Sequence, residues 1–193
     1  AQRRALIEQH TTPGGAWELT TVDIGRGAVR AYAGAPRSIR HLYTDNLSDA
    51  LFIVDATRRW TFAEAWADAS RLGRLLVEDL GVRPGDRVAI SGRNHPEWML
   101  AFCAATSVGA IAVAMNSLWN DDEMAYGLDD SGATVLFADA ERLQSAAASG
   151  WTGHMVGFGP GDLSGAIDVA SLLGPTAPSV DMPRVDIAPD DPA

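Results

Sequence analysis

Lysine is absent from this chain: all 15 of its basic residues are arginine. That gap excludes two kinds of chemistry from the 193 residues. A Walker-type phosphate loop needs a lysine to reach the β- and γ-phosphates, and a Schiff-base enzyme needs an amine nucleophile. Cysteine is nearly missing too. Cys103 stands alone, so no disulfide forms within the chain, which suits a reducing cytosol. Its place on the core side of an expected helix makes it a small buried hydrophobe rather than a nucleophile. No apolar run approaches the ~20 residues that a membrane span needs. The start, from Ala1 to His10, holds an arginine pair but no apolar stretch of the kind that a secretory signal carries. Positive charge is outweighed, with 25 acids against 15 bases and a net charge of −10. This argues against nucleic acid or an anionic membrane surface as the main partner.

What is present is an ordinary globular composition, 47% hydrophobic and 21% charged, in a chain long enough for one sizeable core. The organising stretch is Val82–Asn116. Pro84-Gly85-Asp86 is a turn signal, and Arg87–Ser91 and Ala110–Ala114 are short apolar runs of the kind buried on both faces of a parallel sheet. Between them, Asn94 and Glu97 have the spacing of a capping box, Pro96 fits a first helical turn, and Gly109 fits the helix end. Strand, helix and strand in this order predict a right-handed crossover.

Before this unit, residues 1–50 read as a lead-in. Glu18–Asp23 and Ala28–Tyr32 form a hairpin around Gly25-Arg26-Gly27, and a helix starts at Ser38 and runs to about Leu47. Residues 51–173 read as the main α/β domain. Leu51–Asp55 and Arg59–Thr61 make a second hairpin. Thr61 and Glu64 then cap a helix whose stripe (Phe62, Ala65, Trp66, Ala69, Leu72, Leu76, Leu80) faces a core. Beyond Asn116, Asn120 and Glu123 cap a helix that Gly132 stops. Ala133–Ala138 and His154–Phe158 are strands, Glu141–Ala148 is a helix, and a short helix spans Ser164–Leu173. Residues 174–193 hold five of the ten prolines and read as an extended tail or linker. The alternation predicts an α/β fold with a mainly parallel sheet flanked by helices.

Candidate chemistry is sparse. Asp121-Asp122-Glu123 suits the free N–H groups and dipole of a first helical turn better than a metal. Asp129-Asp130 and Asp190-Asp191 have no partner ligands at metal spacing. The four histidines, His10, His41, His95 and His154, are scattered, and only His95 falls in a loop that a sheet edge presents; as a helix-start residue it is expected to face water. Gly159, Gly161 and Gly165 miss the dinucleotide spacing, and Ala89 before Ser91-Gly92 rules out a nucleophile elbow. The loop Gly92-Arg93-Asn94 does lie where open α/β sheets bind ligands, at the carboxyl end of a strand and before a helix. An arginine there can meet a phosphate, although an ordinary loop charge explains it better. Residues alone therefore describe an α/β domain without a complete catalytic set.

A set of short matches in order says more. Arg-Trp-Thr-Phe-Ala-Glu at 59–64, Gly-Val-Arg-Pro-Gly-Asp-Arg-Val-Ala-Ile at 81–90 and Asn94-x-Pro96-Glu97-Trp98 come first. Gly-Ala-Ile-Ala-Val-Ala-Met-Asn at 109–116 and Glu-Met-Ala-Tyr-Gly-Leu-Asp-Asp-Ser-Gly-Ala at 123–133 follow. Together they resemble the N-terminal part of the adenylate-forming acyl-CoA synthetases, and the lead-in, Thr12-Pro13-Gly14 through the hairpin to Ala35-Pro36-x-Ser38-Ile39-Arg40, resembles the fatty-acid branch. The resemblance implies a cytoplasmic ligase, open to peripheral membrane contact. Its full-length form would activate a carboxylic acid with ATP and magnesium to acyl-AMP and transfer the acyl group to CoA. In that family the phosphate loop, the later nucleotide-binding segments and a C-terminal lysine do this work, and none of them is here. The chain is therefore expected to be an N-terminal fragment, inactive alone and without bound cofactor. No catalytic, cofactor-binding or metal-binding residue is carried over. The alternatives are an adenylation domain that loads a carrier protein, a luciferase-like relative, and a stand-alone non-catalytic interaction module. Apolar surface left open on a fragment also predicts self-association or exchange of the proline-rich tail.

Overall fold

A computed structural model describes residues 2–25 and 27–193, which fall into two compact units divided between Arg37 and Ser38. In the first, helix α1 (Gln2–Thr11) precedes a hairpin of β1 (Leu19–Asp23) and β2 (Ala28–Tyr32), paired antiparallel with Leu19 opposite Tyr32. The hairpin is the expected one; Arg26, in its expected turn, lies outside the described residues. Helix α1 buries no residue, and so it left no core-facing stripe to read in the sequence.

The second unit begins with α2 (Ile39–Thr44), where the Ser38 hydroxyl accepts the His41 N–H. This helix ends short of the expected Leu47. The Asn46 side chain donates to the Leu42 carbonyl at 2.7 Å and so competes for an acceptor that another helical turn would use. The hairpin β3 (Leu51–Val54) and β4 (Arg59–Thr61) leads into α3 (Phe62–Arg74). Its capping box is reciprocal. The Thr61 hydroxyl accepts the Glu64 N–H at 3.1 Å, and the Glu64 carboxylate accepts the Thr61 N–H at 2.8 Å. Ala65, Ala69 and Leu72 are buried as the stripe predicted, and the final turn, Leu75–Asp79, widens so that Leu80 N–H reaches the Leu75 carbonyl.

Five strands follow: β5 (Arg87–Ser91), β6 (Ile111–Ala114), β7 (Val135–Asp139), β8 (His154–Phe158) and β9 (Ile167–Asp168). They form one parallel sheet in the order β6-β5-β7-β8-β9, with Ile90 level with Phe137 and Phe137 level with Val156. The connecting helices are α4 (Pro96–Ser107), α5 (Asp121–Ser131) and α6 (Ala140–Ala148). Alternation along the strands divides the core. Val88, Ile90, Phe137 and Val156 pack with α3 and α4, while Ala89, Leu136 and Ala138 pack with α5 and α6. Both faces are covered, which is why the strands read as continuous apolar runs. The architecture is thus the expected α/β one.

Two further local expectations fail. Ser164–Leu173 is not a helix: Ile167–Asp168 extends the sheet beside β8, and only Val169–Ser171 makes a single tight turn, capped by Asp168. Nor does Asn94 cap α4. The helix begins with Pro96 at its first position, so the residue directly before it, His95, takes the cap position in extended conformation at φ −117° and ψ 145°. His95 gives the helix no side-chain hydrogen bond.

Candidate functional site

The sheet order places a reversal at β5. The chain moves from β5 outward to β6, then crosses back to β7 on the other side of β5. The crevice beyond the carboxyl ends of β5 and β7 is therefore the place where a doubly wound sheet receives ligands. Here the protein fills that crevice itself. Asp139, the last residue of β7, caps α6 by accepting the Arg142 N–H at 3.2 Å, and its other oxygen accepts the Arg93 N–H at 2.9 Å. The Arg142 guanidinium pairs with Asp139 at 3.3 Å and also donates to the Ser117 carbonyl after β6. One carboxylate thus ties together the loops that follow β5, β6 and β7.

Gly92 is part of the same arrangement. A Cβ at that position would stand 2.7 Å from the Phe158 ring and 3.2 Å from Asp139 Oδ2, so the loop closes only because Gly92 lacks a side chain. The His95 ring packs edge-on against Phe158 with centroids 5.8 Å apart and lies over Gly159. It is half-buried rather than facing water as the sequence suggested.

The open space lies beside this plug. A cleft of about 780 Å3 runs from the N-terminus of α4 (Gly92 to Met99) past Gly159-Pro160 to Ile53, Val54 and Asp55 of the β3 end. Its walls are mixed: Val54, Pro96, Trp98 and Pro160 are apolar, Arg93 is its arginine, and Asp55 and Glu97 bring two carboxylates. A triphosphate carries concentrated negative charge and needs several converging donors or a metal. This lining sets one arginine against two carboxylates.

The other singled-out residues do not join the cleft. Asp121 and Asp122 sit in the first turn of α5 with Glu123, which completes the capping box with Asn120. Ser38 engages His41 on α2, His10 lies on α1, and His154 starts β8 at the far end of the sheet. Among the described residues, no group of three His, Cys, Asp or Glu side chains stands close enough to hold a metal ion, and no helix is long and apolar enough to cross a membrane. Cys103 is 6% exposed in α4, and burial pushes its thiol up to about 12. The neutral thiol is thus the form that the fold keeps, and the thiolate needed for nucleophilic work is suppressed.

A model of the AMP-binding enzyme family matches residues 43–193. The chain belongs to that family. It is 36% identical over 116 residues to a feruloyl-CoA synthase of Amycolatopsis, a match covering 58% of this chain and 23% of that protein. It is 32% identical over 133 residues to a medium/long-chain fatty-acid–CoA ligase of Mycobacterium tuberculosis, covering 66% of this chain and 22% of the ligase. Among solved structures, the N-terminal domain of FACL13 from Mycobacterium tuberculosis superposes with a TM-score of 0.67 at 26% identity, covering 80% of this chain and 39% of that one. The anthranilate CoA ligase AuaEII superposes at 0.64 and 27% identity, covering 69% and 27%. The chain spans about a quarter of the length of the curated AMP-binding relatives just named. Its parallel sheet with helices on both faces is the N-terminal subdomain fold of the adenylate-forming ligases.

The sequence reading missed Asp139 and Arg142 as site residues. Their three-residue spacing, at a strand end that starts a helix, was the available signal, since an acid there caps and an arginine one turn on can return to it.

Proposed function

We propose that this chain is scaffold from the N-terminal part of an AMP-forming acyl-CoA ligase. In the whole enzyme a carboxylate attacks the α-phosphate of ATP, giving acyl-AMP and pyrophosphate, and the CoA thiol then displaces AMP. Magnesium and the groups that neutralise the phosphates belong to sequence outside these residues, and no catalytic, cofactor-binding or metal-binding residue lies within them. The observation that carries the reading is the family match over 43–193; the mixed charge of the cleft supports the division of labour. The fatty-acid lead-in motif and the fatty-acid–CoA ligase relative favour a fatty acid as substrate. A second reading, an aromatic acid, draws support from the feruloyl-CoA synthase relative, which has the higher identity of the two.

Pyrophosphate exchange tests this directly. The purified 193-residue chain, with ATP, magnesium and a panel of fatty and aromatic acids, is expected to give no exchange above background. Clear turnover with any acid overturns the scaffold reading and identifies the substrate class at once.

The same reading makes the isolated chain prone to associate with itself, because surface that the rest of a ligase would cover is open to water. Val54 at 59% and Met99 at 42% exposure flank the cleft. Light scattering is expected to show mass rising with concentration, more steeply at high salt, where the net charge of −10 is screened. A constant monomer mass at both salts ends this part of the proposal.

A further inference from the structure

Residues 174–187 contain no helix or strand, and their three prolines, Pro175, Pro178 and Pro183, oppose both. They are nevertheless held at every stage of their course. Gly174 N–H donates to Asp68 Oδ1 at 3.3 Å. The Arg71 side chain on α3 then takes two carbonyls, Nε to Pro178 at 2.8 Å and Nη2 to Ala177 at 3.0 Å, while its remaining nitrogen pairs with buried Asp68. Met182 is 5% exposed and sets its sulfur over Gly73, against Val108, where any side chain at 73 would collide with it. The Arg40 guanidinium closes the next stage. Nη1 donates to Pro183 O at 2.7 Å and Ser107 O at 3.2 Å, and Nη2 donates to Met182 O at 3.5 Å. Finally Ile187 lies against Gly109, whose φ of +75° turns the chain from α4 into β6.

A flexible linker has no use for this set of contacts. Prolines leave carbonyls without neighbouring N–H partners, and two arginines, each with several donors in a fixed plane, satisfy them from the side. We infer that residues 174–187 form a docked strap, pinned by Arg71, Met182 and Arg40 across the C-terminal ends of α3 and α4 and ending against Gly109.

Trypsin reads the strap directly, because Arg184 is the arginine within it and its side chain is exposed. In the parent chain the Arg184–Val185 bond is expected to be cut at least 10-fold more slowly than Arg4–Ala5 on α1, which buries nothing, with fragments followed by mass spectrometry. Arg40→Met, which removes the clamp on the carbonyls of Met182 and Pro183, is expected to raise cleavage at Arg184 at least 10-fold and leave Arg4 unchanged. Met182→Ser is expected to do the same by removing the anchor. Equal cleavage at Arg184 and Arg4 in the parent chain overturns the inference without need of a variant. So does a folded Arg40→Met or Met182→Ser chain, judged by an unaltered near-ultraviolet circular dichroism spectrum, in which Arg184 stays protected.

Discussion

Asp68→Ala is expected to remove about 3–5 kcal/mol of stability, the range found when one partner of a buried ion pair is deleted. The carboxylate is 1% exposed on α3 and serves four donors. Trp60 Nε1 reaches Oδ2 at 2.9 Å, Arg58 reaches the same oxygen at 3.1 Å, Arg71 pairs with Oδ1, and Gly174 N–H joins at 3.3 Å. Arg58 also lies over the Trp60 ring at 4.2 Å, so its position depends on both neighbours. Removing the acid leaves a buried indole N–H without an acceptor and takes the counter-charge from two guanidinium groups, of which the Arg71 side chain is only 12% exposed. Urea unfolding followed by tryptophan fluorescence checks this, through a lower midpoint at unchanged slope. Asp68→Asn keeps an acceptor for the indole but lacks the charge, and is expected to fall between the parent and alanine. A loss under about 1 kcal/mol for Asp68→Ala would mean that water already reaches the pocket and screens the charges.

Phe137→Ala is expected to cost a similar amount, about 3–5 kcal/mol, for a different reason. Phe137 is fully buried in β7, between Ile90 on β5 and Val156 on β8, under the layer of α3 and α4. Truncation removes most of a large apolar side chain and leaves a cavity that a sheet held by neighbours on both sides cannot collapse. Phe137→Leu is expected to lose less, since most of the volume stays. Tyr126→Ala, at a residue 69% exposed on α5, serves as the control and is expected to change stability by no more than about 0.5 kcal/mol. Thermal unfolding of the three variants orders them. An alanine chain as stable as the leucine chain would place the core elsewhere.

How well the sequence foretold the molecule depended on whether the signal was local. The capping boxes Thr61–Glu64 and Asn120–Glu123, and the left-handed stop at Gly132, form as read, because each needs only residues within one turn. The buried strands were legible from their apolar runs. At α4 a rival signal won: Asn94 and Glu97 have capping spacing, but the fixed φ of Pro96 moves the cap to His95. What no local pattern held was long-range polar pairing. Asp68 meets Gly174, and Arg40 meets Pro183, across more than a hundred residues. The plug at the sheet reversal was equally out of reach, since Asp139 and the Arg93 backbone lie 46 residues apart. These contacts exist only once the strands have taken their order.

That plug also bears on how this lobe tolerates genetic change. Gly92 has no room for a side chain because the Asp139 carboxylate and the Phe158 ring occupy the space, while Asp139 holds its rotamer by gripping the backbone beside Gly92. Neither site can drift alone. A larger residue at 92 becomes admissible only after position 158 has lost its ring, and Asp139 Oδ2 must then also give way by a few tenths of an ångström, so the three positions constitute one inherited unit rather than three independent ones.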